Sequence, residues 1–300
     1  MTGGKWHMAV MAAAALVAVA LVKALVADSC FIPSTGMENS LYKGEGVLVS
    51  KWSYGLRLPL PSLFGYKRIG LRTVGRGDIV VFNDPSDSER GLEWRQTFIS
   101  RCVGLPGDTL MLDSGLLGAD GGLTNPDSKA LYAYPADLDG LVTGLLEALD
   151  IEGNALVSYT SDGQYVRSFS LYEMYLLVQR ADGRVTFTPL TDLGEDVRPF
   201  VVPARGKRVD VFPWNAVLLC NTINLHEGGG AELRGDSLLV DGRAVTSFVF
   251  SQDYYWMAAN DPVNLCDSRL FGFVPETHLI GKAWRIWLPA TACRMWQRVK

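Results

Sequence analysis

The chain has 300 residues, 28 Lys plus Arg against 32 Asp plus Glu, a formal net charge of −4, and 48% hydrophobic against 20% charged residues. That balance can bury a sizeable core and excludes a disordered chain. With no run of Lys or Arg it also lacks the basic footprint of phosphate-dominated nucleic-acid binding. Cys30, Cys102, Cys220, Cys266 and Cys293 are scattered without a CxxC or a His at ligand spacing, so neither a zinc site, nor another metal or cofactor, nor a disulfide framework is indicated.

Residues 1–7 read as a short tail, followed at 8–27 by MAVMAAAALVAVALVKALVA, which carries one charge. At about 1.5 Å per residue it matches the hydrocarbon core of a bilayer, so a single transmembrane anchor is expected, with Lys23 snorkelling to the interface. A cleaved signal peptide cut after Ala18-Val19-Ala20, or a buried helix, are the other readings. Lys5 and the amino terminus against Asp28 favour an amino terminus in the cytoplasm, with residues 28–300 on the extracytoplasmic side of the inner membrane.

Beyond residue 31 short β-branched or aromatic stretches recur between Gly, Pro and Asp: GVLVSKW, GDIVVF, DTLMLD, GRVTFTPL, RVDVF, DSLLVDGRAVTSFVF and HLIGKAWRIWL. The pattern predicts a mainly β domain. Asp241-Gly242 predicts a two-residue hairpin, because both positions tolerate positive φ. Leu138, Leu141, Val142, Leu145, Leu146 and Leu149 fall at helical spacing and predict an amphipathic helix over about 136–150, with a shorter one over 171–180. Both lie in a stretch, 110–205, that reads as an α/β insertion elaborating a compact β core.

Three segments carry the chemistry. The first is Phe31-Ile-Pro-Ser-Thr-Gly-Met-Glu-Asn-Ser-Leu41, directly after the apolar run. The second joins Gly77-Asp78-Ile79-Val80-Val81-Phe82 to Ser100-Arg101-Cys102-Val103-Gly104-Leu105-Pro106-Gly107-Asp108. The third runs from Asp253 to Asp261 and on to Cys266-Asp267-Ser268-Arg269 and Gly272-Phe273-Val274-Pro275-Glu276. In order, spacing and content the chain resembles bacterial type I signal peptidases, membrane serine proteases that cut exported proteins with a Ser/Lys dyad. The resemblance covers nearly the whole chain. It implies a signal-peptidase/LexA-like β-barrel-type core, a structural ion pair of Asp267 with Arg269 near the site beside Arg101, and a substrate groove at Ser34 and Met37, with Ser34 helping to stabilise the oxyanion.

The departures weigh more than the matches. The family's nucleophile precedes the Met of its first motif, and Gly36 stands there; the general base precedes the Arg of the second, and Ser100 stands there. In the third, Ala259-Asn260-Asp261-Pro262 replaces a Gly-Asp-Asn start, and Leu265 replaces a Ser that contacts the base. A serine attacks only when a base takes its proton, and a lysine serves only when its pKa is lowered. Gly36 has no oxygen, the Ser100 hydroxyl has no useful basicity, and Arg101 stays protonated. Loss of such a unit costs on the order of 10⁶ in turnover.

The sequence therefore predicts a pseudoenzyme that retains at most the binding of exported polypeptides or regulates an active relative. The alternatives are a working peptidase using Ser34 or Thr35, or completed by a partner chain, and a non-catalytic assembly subunit. Ser40 and Ser53 (in the strand after the site) read as structural, Lys43 and Lys51 as solvated, and His7, His226 and His278 as surface or satisfied groups in separate regions. Trp52, Tyr54, Trp284, Trp287 and Trp296 read either as a surface resting on the lipid bilayer or as ordinary core and edge aromatics.

Overall fold

Side chains that alternate between two apolar layers build the centre of this chain. The structure, a computed structural model, describes residues 7–8, 10–15, 25–58, 61, 65–112, 124–151, 153–190, 197–263 and 266–299. In chain order the elements used below are β1 (Ala27–Phe31), β2 (Gly46–Ser50), β3 (Ile79–Asn83), β4 (Thr97–Gly104), β5 (Lys129–Pro135), α1 (Asp139–Ala148), β6 (Gln164–Ser170) and α2 (Leu171–Ala181). They continue with α3 (Ala216–His226), β7 (Ala231–Arg234), β8 (Ser237–Val240), β9 (Arg243–Val245), β10 (Tyr254–Ala258), α4 (Ser268–Phe271), β11 (Val274–Pro275) and β12 (Leu279–Leu288). The fold is mainly β.

Seven strands share one antiparallel sheet in the order β1-β2-β12-β3-β4-β10-β11. All five residues of β3 and all five of β10 are buried, so the sheet is covered on both faces. Period-2 alternation sends Val80 and Phe82 to one layer, with Tyr54, Cys102 and Met257, and Ile79 to the other, with Ile32, Met37, Leu41 and Ile286. Each fully buried Val, Leu or Phe contributes roughly 1.5–3 kcal/mol. The predicted hairpin joins β8 to β9: Val240 pairs with Arg243, and Asp241 and Gly242 have φ of 49° and 76°.

The short pair Thr109–Leu110 with Phe200–Val201 forms a neck. Beyond it lies a separate four-stranded antiparallel sheet, in which β5 and β6 are the central strands. The two predicted helices are there, as α1 and α2. Val142, Leu145 and Leu146 of α1 pack with Met174 and Leu177 of α2 on Tyr134 and Phe169. Ser170 and Glu173 close a capping box that fixes where α2 starts.

Several expectations need correction. Helix α3 was not anticipated, because Val217 and Leu218 interrupt any polar stripe on its outer side; it buries Leu219, Cys220 and Ile223 against Trp256 and Phe273. Ser53 lies in a turn rather than a strand, where it donates to Ser50 Oγ at 2.7 Å. Lys51 is not a free solvated amine, since it meets Asp28 at 3.1 Å with its side chain 17% exposed. Tyr54 is buried and bonded to Asp78, so it is not part of a surface; Trp52, Trp284 and Trp296 are exposed. Much of the expected 8–27 anchor lies outside the described residues, and Ala27 already belongs to β1. Among the described residues no helix is long and apolar enough to cross a membrane.

Candidate active-site region

Strand β4 carries Ser100 and Arg101 on opposite faces, and this alternation gives the two residues different fates. Arg101 is 4% exposed and enters a polar knot. Its guanidinium donates to Gly77 O at 2.9 Å, Ser40 Oγ at 2.6 Å and Asp127 Oδ2 at 3.1 Å, with Asn260 Oδ1 at 3.4 Å. Burial lowers the guanidinium pKa from its ordinary value and Asp127 opposes that shift. Ser100 is fully buried and donates its hydroxyl to the carbonyl of Cys266 at 3.2 Å.

The turn from Ile32 to Leu41 closes on itself through Glu38 N to Thr35 O at 2.9 Å and Leu41 N to Met37 O at 2.7 Å. Gly36 and Met37 are buried; Ser34 and Thr35 are half-buried. Gly36 is not among the glycines with positive φ, so its backbone would accept a serine. Its carbonyl accepts from Asn260 N at 2.8 Å and Asp261 N at 3.1 Å, and its own N–H donates to Ser34 Oγ at 3.5 Å.

Asn260 is the hub that sequence reasoning missed. Besides bonding Gly36, it donates Nδ2 to Glu38 O and Ser40 Oγ, each at 2.9 Å, and accepts from Lys129 N at 2.7 Å. Asp267, fully buried, accepts from Ala259 N at 2.7 Å, caps α4 through Arg269 N at 2.9 Å, and pairs with the Arg269 guanidinium at 2.5–3.1 Å. Ser268 Oγ accepts from Met257 N at 2.9 Å. Ala259 and Asp267 are thus tied together beside β10, Gly36 is bonded to Asn260 and Asp261, and Ser100 is bonded to Cys266. Replacing Asn260 with Ala keeps its backbone bonds but removes the side-chain bonds to Glu38 O and Ser40 Oγ of the turn and from Arg101 Nε of β4. A loss of about 2–3 kcal/mol is expected, read as a lower urea midpoint at unchanged slope.

A lysine does reach this turn, from an unanticipated direction. Lys129, on β5, is fully buried and donates Nζ to Glu38 Oε2 at 2.6 Å and Asn154 Oδ1 at 2.5 Å, with Glu173 Oε1 at 3.6 Å. Burial pushes the Glu38 carboxyl above its ordinary range and Lys129 counters it. The amine is committed to carboxylates, not to a hydroxyl. On the far side of the turn Arg294 binds Glu45 at 2.8 Å and Ser40 O at 2.7 Å, so the C-terminal segment clamps it as well.

The histidines depart from expectation in one respect: His226 and His278 are together, ring centroids 5.2 Å apart. His278 is buried and bonded to Arg95 and Thr277, a satisfied group remote from the dyad positions. Lys43 is exposed, and Ser40 is buried in the Arg101 knot.

Gly36 and Ser100 thus lie buried and hydrogen-bonded within a mainly β chain, and comparison with known proteins gives its family. Residues 5–159 match the family model of signal peptidase, peptidase S26, and the chain belongs to that family. It is similar to signal peptidase I of Buchnera aphidicola subsp. Schizaphis graminum (strain Sg), 25% identical over 269 residues that cover 89% of this chain and 70% of that protein. It is also similar to signal peptidase I of Pseudomonas fluorescens, 36% identical over 96 residues, 32% of this chain and 31% of that protein.

Proposed function

We propose that this chain is a signal-peptidase-like pseudoenzyme, which recognises exported polypeptides as extended strands without cutting them. In this reading residues 8–27 anchor it in the inner membrane and the β domain faces the extracytoplasmic side. The observation that carries it is the pair of substituted positions: Gly36 has no side-chain oxygen, and the Ser100 hydroxyl is already donated to Cys266 O. The one lysine amine bonded to the turn among the described residues, that of Lys129, is held by Glu38 and Asn154. Among the described residues no basic side chain is hydrogen-bonded to Ser34 or Thr35.

Recognition has separate support. On its β10 side, β4 is paired only from Arg101 to Gly104, while β3 pairs it from Thr97 to Arg101. In this reading Thr97–Ser100, which β10 does not pair, is where an added strand would form its main-chain hydrogen bonds. The test uses the full chain in detergent with a preprotein. No cleavage is expected, while the preprotein's signal region binds measurably. Cleavage by the unaltered chain that Ser34→Ala or Thr35→Ala abolishes would establish the relocated nucleophile instead. Absence of both cleavage and binding would favour the assembly subunit.

A further inference from the structure

Helix α2 is apolar on the side where a surface helix normally carries charge. Leu171, Tyr172, Tyr175 and Val178 are 54%, 68%, 59% and 54% exposed. At about 100° per residue they share one face roughly 120° wide, whose one other exposed residue is the uncharged Gln179. The opposite face buries Glu173, Met174, Leu177 and Ala181 in the insertion's core, so the exposed face is not an alternative core surface.

The face is continuous with a cavity. Tyr172 and Leu176 also line a space of about 710 Å³ that reaches the Gly36 turn, with Glu38 and Glu173 among its walls and Asp150 and Lys43 lining it too. The charges there do not cancel. Glu38 and Glu173 share the single ammonium of Lys129, and Arg294, which also lines the cavity, is matched by Glu45. Among the described residues, Lys43 against Asp150 leaves one carboxylate in excess.

We propose that α2 and this cavity form one docking surface for a peptide segment of a partner protein, which lays apolar side chains on Leu171, Tyr175 and Val178 and sends one lysine into the cavity towards Glu38. Charge complementarity selects this occupant. A second copy pairing α2 with α2 would cover the apolar face yet deliver no cation, because Arg180 projects about 140° from Tyr175 around the helix. The surface is separate from the β4 edge, with which it shares no lining residue.

The test measures fluorescence anisotropy of the full chain in detergent with a synthetic Leu/Ala helical peptide carrying one central Lys, and with the same peptide carrying Glu. The Lys peptide is expected to bind about tenfold more tightly. Tyr175→Ser with Val178→Ser should weaken it about tenfold at an unchanged thermal midpoint, since both side chains are already exposed in the folded chain. Asp150→Asn, which removes the excess carboxylate without touching the buried network, should narrow the Lys preference. Equal binding of the two peptides, binding indifferent to the α2 substitutions, or a dimer in sedimentation that those substitutions dissolve would each overturn the proposal.

Discussion

Lys129→Met is expected to lower stability by about 3–5 kcal/mol, the range for removing one partner of a buried ion pair. The cost arises less from the lost attraction than from what remains. Glu38 and Glu173 are 5% and 7% exposed, and without the ammonium each carboxylate faces protein and its neighbour's like charge. Glu173 keeps the Ser170 N–H at 2.7 Å, whereas Glu38 Oε2 loses its 2.6 Å donor. The variant also leaves Asn154 worse off, because Oδ1 loses its donor and Nδ2 already lacks an acceptor. Two features identify the mechanism. The deficit should shrink as pH falls, because protonating Glu38 removes the stranded charge, and Glu38→Gln in the Lys129→Met background should recover part of it. A urea-derived loss below about 1 kcal/mol at pH 7 would show that the network is weaker than its geometry.

The legible and illegible parts of this chain divide by how far a residue's partner lies along the sequence. β2, β3 and β12 were readable because a run of β-branched and aromatic residues after a Gly or Asp is a local signal, as in Gly77-Asp78-Ile79-Val80-Val81-Phe82. The Asp241-Gly242 turn was readable because only a few residue types reach its φ values. Gly36 and Ser100 could be picked out by their place within ordered motifs, and the neighbourhood they share needed no coordinates to suspect. The hydrogen bonds that fill it were another matter. Ser100 bonds a backbone carbonyl 166 positions away, a contact with no side-chain signature at the acceptor. Lys129 and Glu38 are 91 positions apart, and in sequence Lys129 looks like the polar start of an ordinary strand, KALYAYP. Asn260 lay in view as part of an altered motif. Its role as hub depends on the Gly36, Glu38 and Ser40 backbone and hydroxyl groups converging on it, which only the fold arranges.

The acid response should be dominated by the buried His278 and the half-buried His226. Burial lowers the His226 pKa from 6.5 to about 4 and that of His278 well below 6.5, each reinforced by Arg95, with Arg57 also acting on His278. Arg95 donates to His278 Nε2 at 2.9 Å, which requires the neutral ring with its proton on Nδ1, towards Thr277. A second proton would turn that bond into a repulsion. On the other side, His226 faces the Tyr254 ring at 6.1 Å and Gln252 donates to its carbonyl, while the neighbouring Glu227 carboxylate is engaged by the Tyr254 hydroxyl at 2.6 Å. Because the folded pKa values lie below the unfolded one, the stability they confer is present above about pH 6.5 and is lost as pH falls towards 4. For His226 alone the shift corresponds to at most about 3 kcal/mol. Glu38 and Glu276 act in the opposite sense, since burial raises both and their protonation favours the folded chain. The unaltered protein's acid curve therefore mixes two signs, and a variant must separate them. His226→Phe with His278→Gln keeps a ring against Tyr254 and an acceptor for Arg95 while removing both titrations. Between pH 7 and 4 its urea midpoint should fall much less than that of the parent, with the gap opening below pH 6.5; parallel curves would refute the assignment.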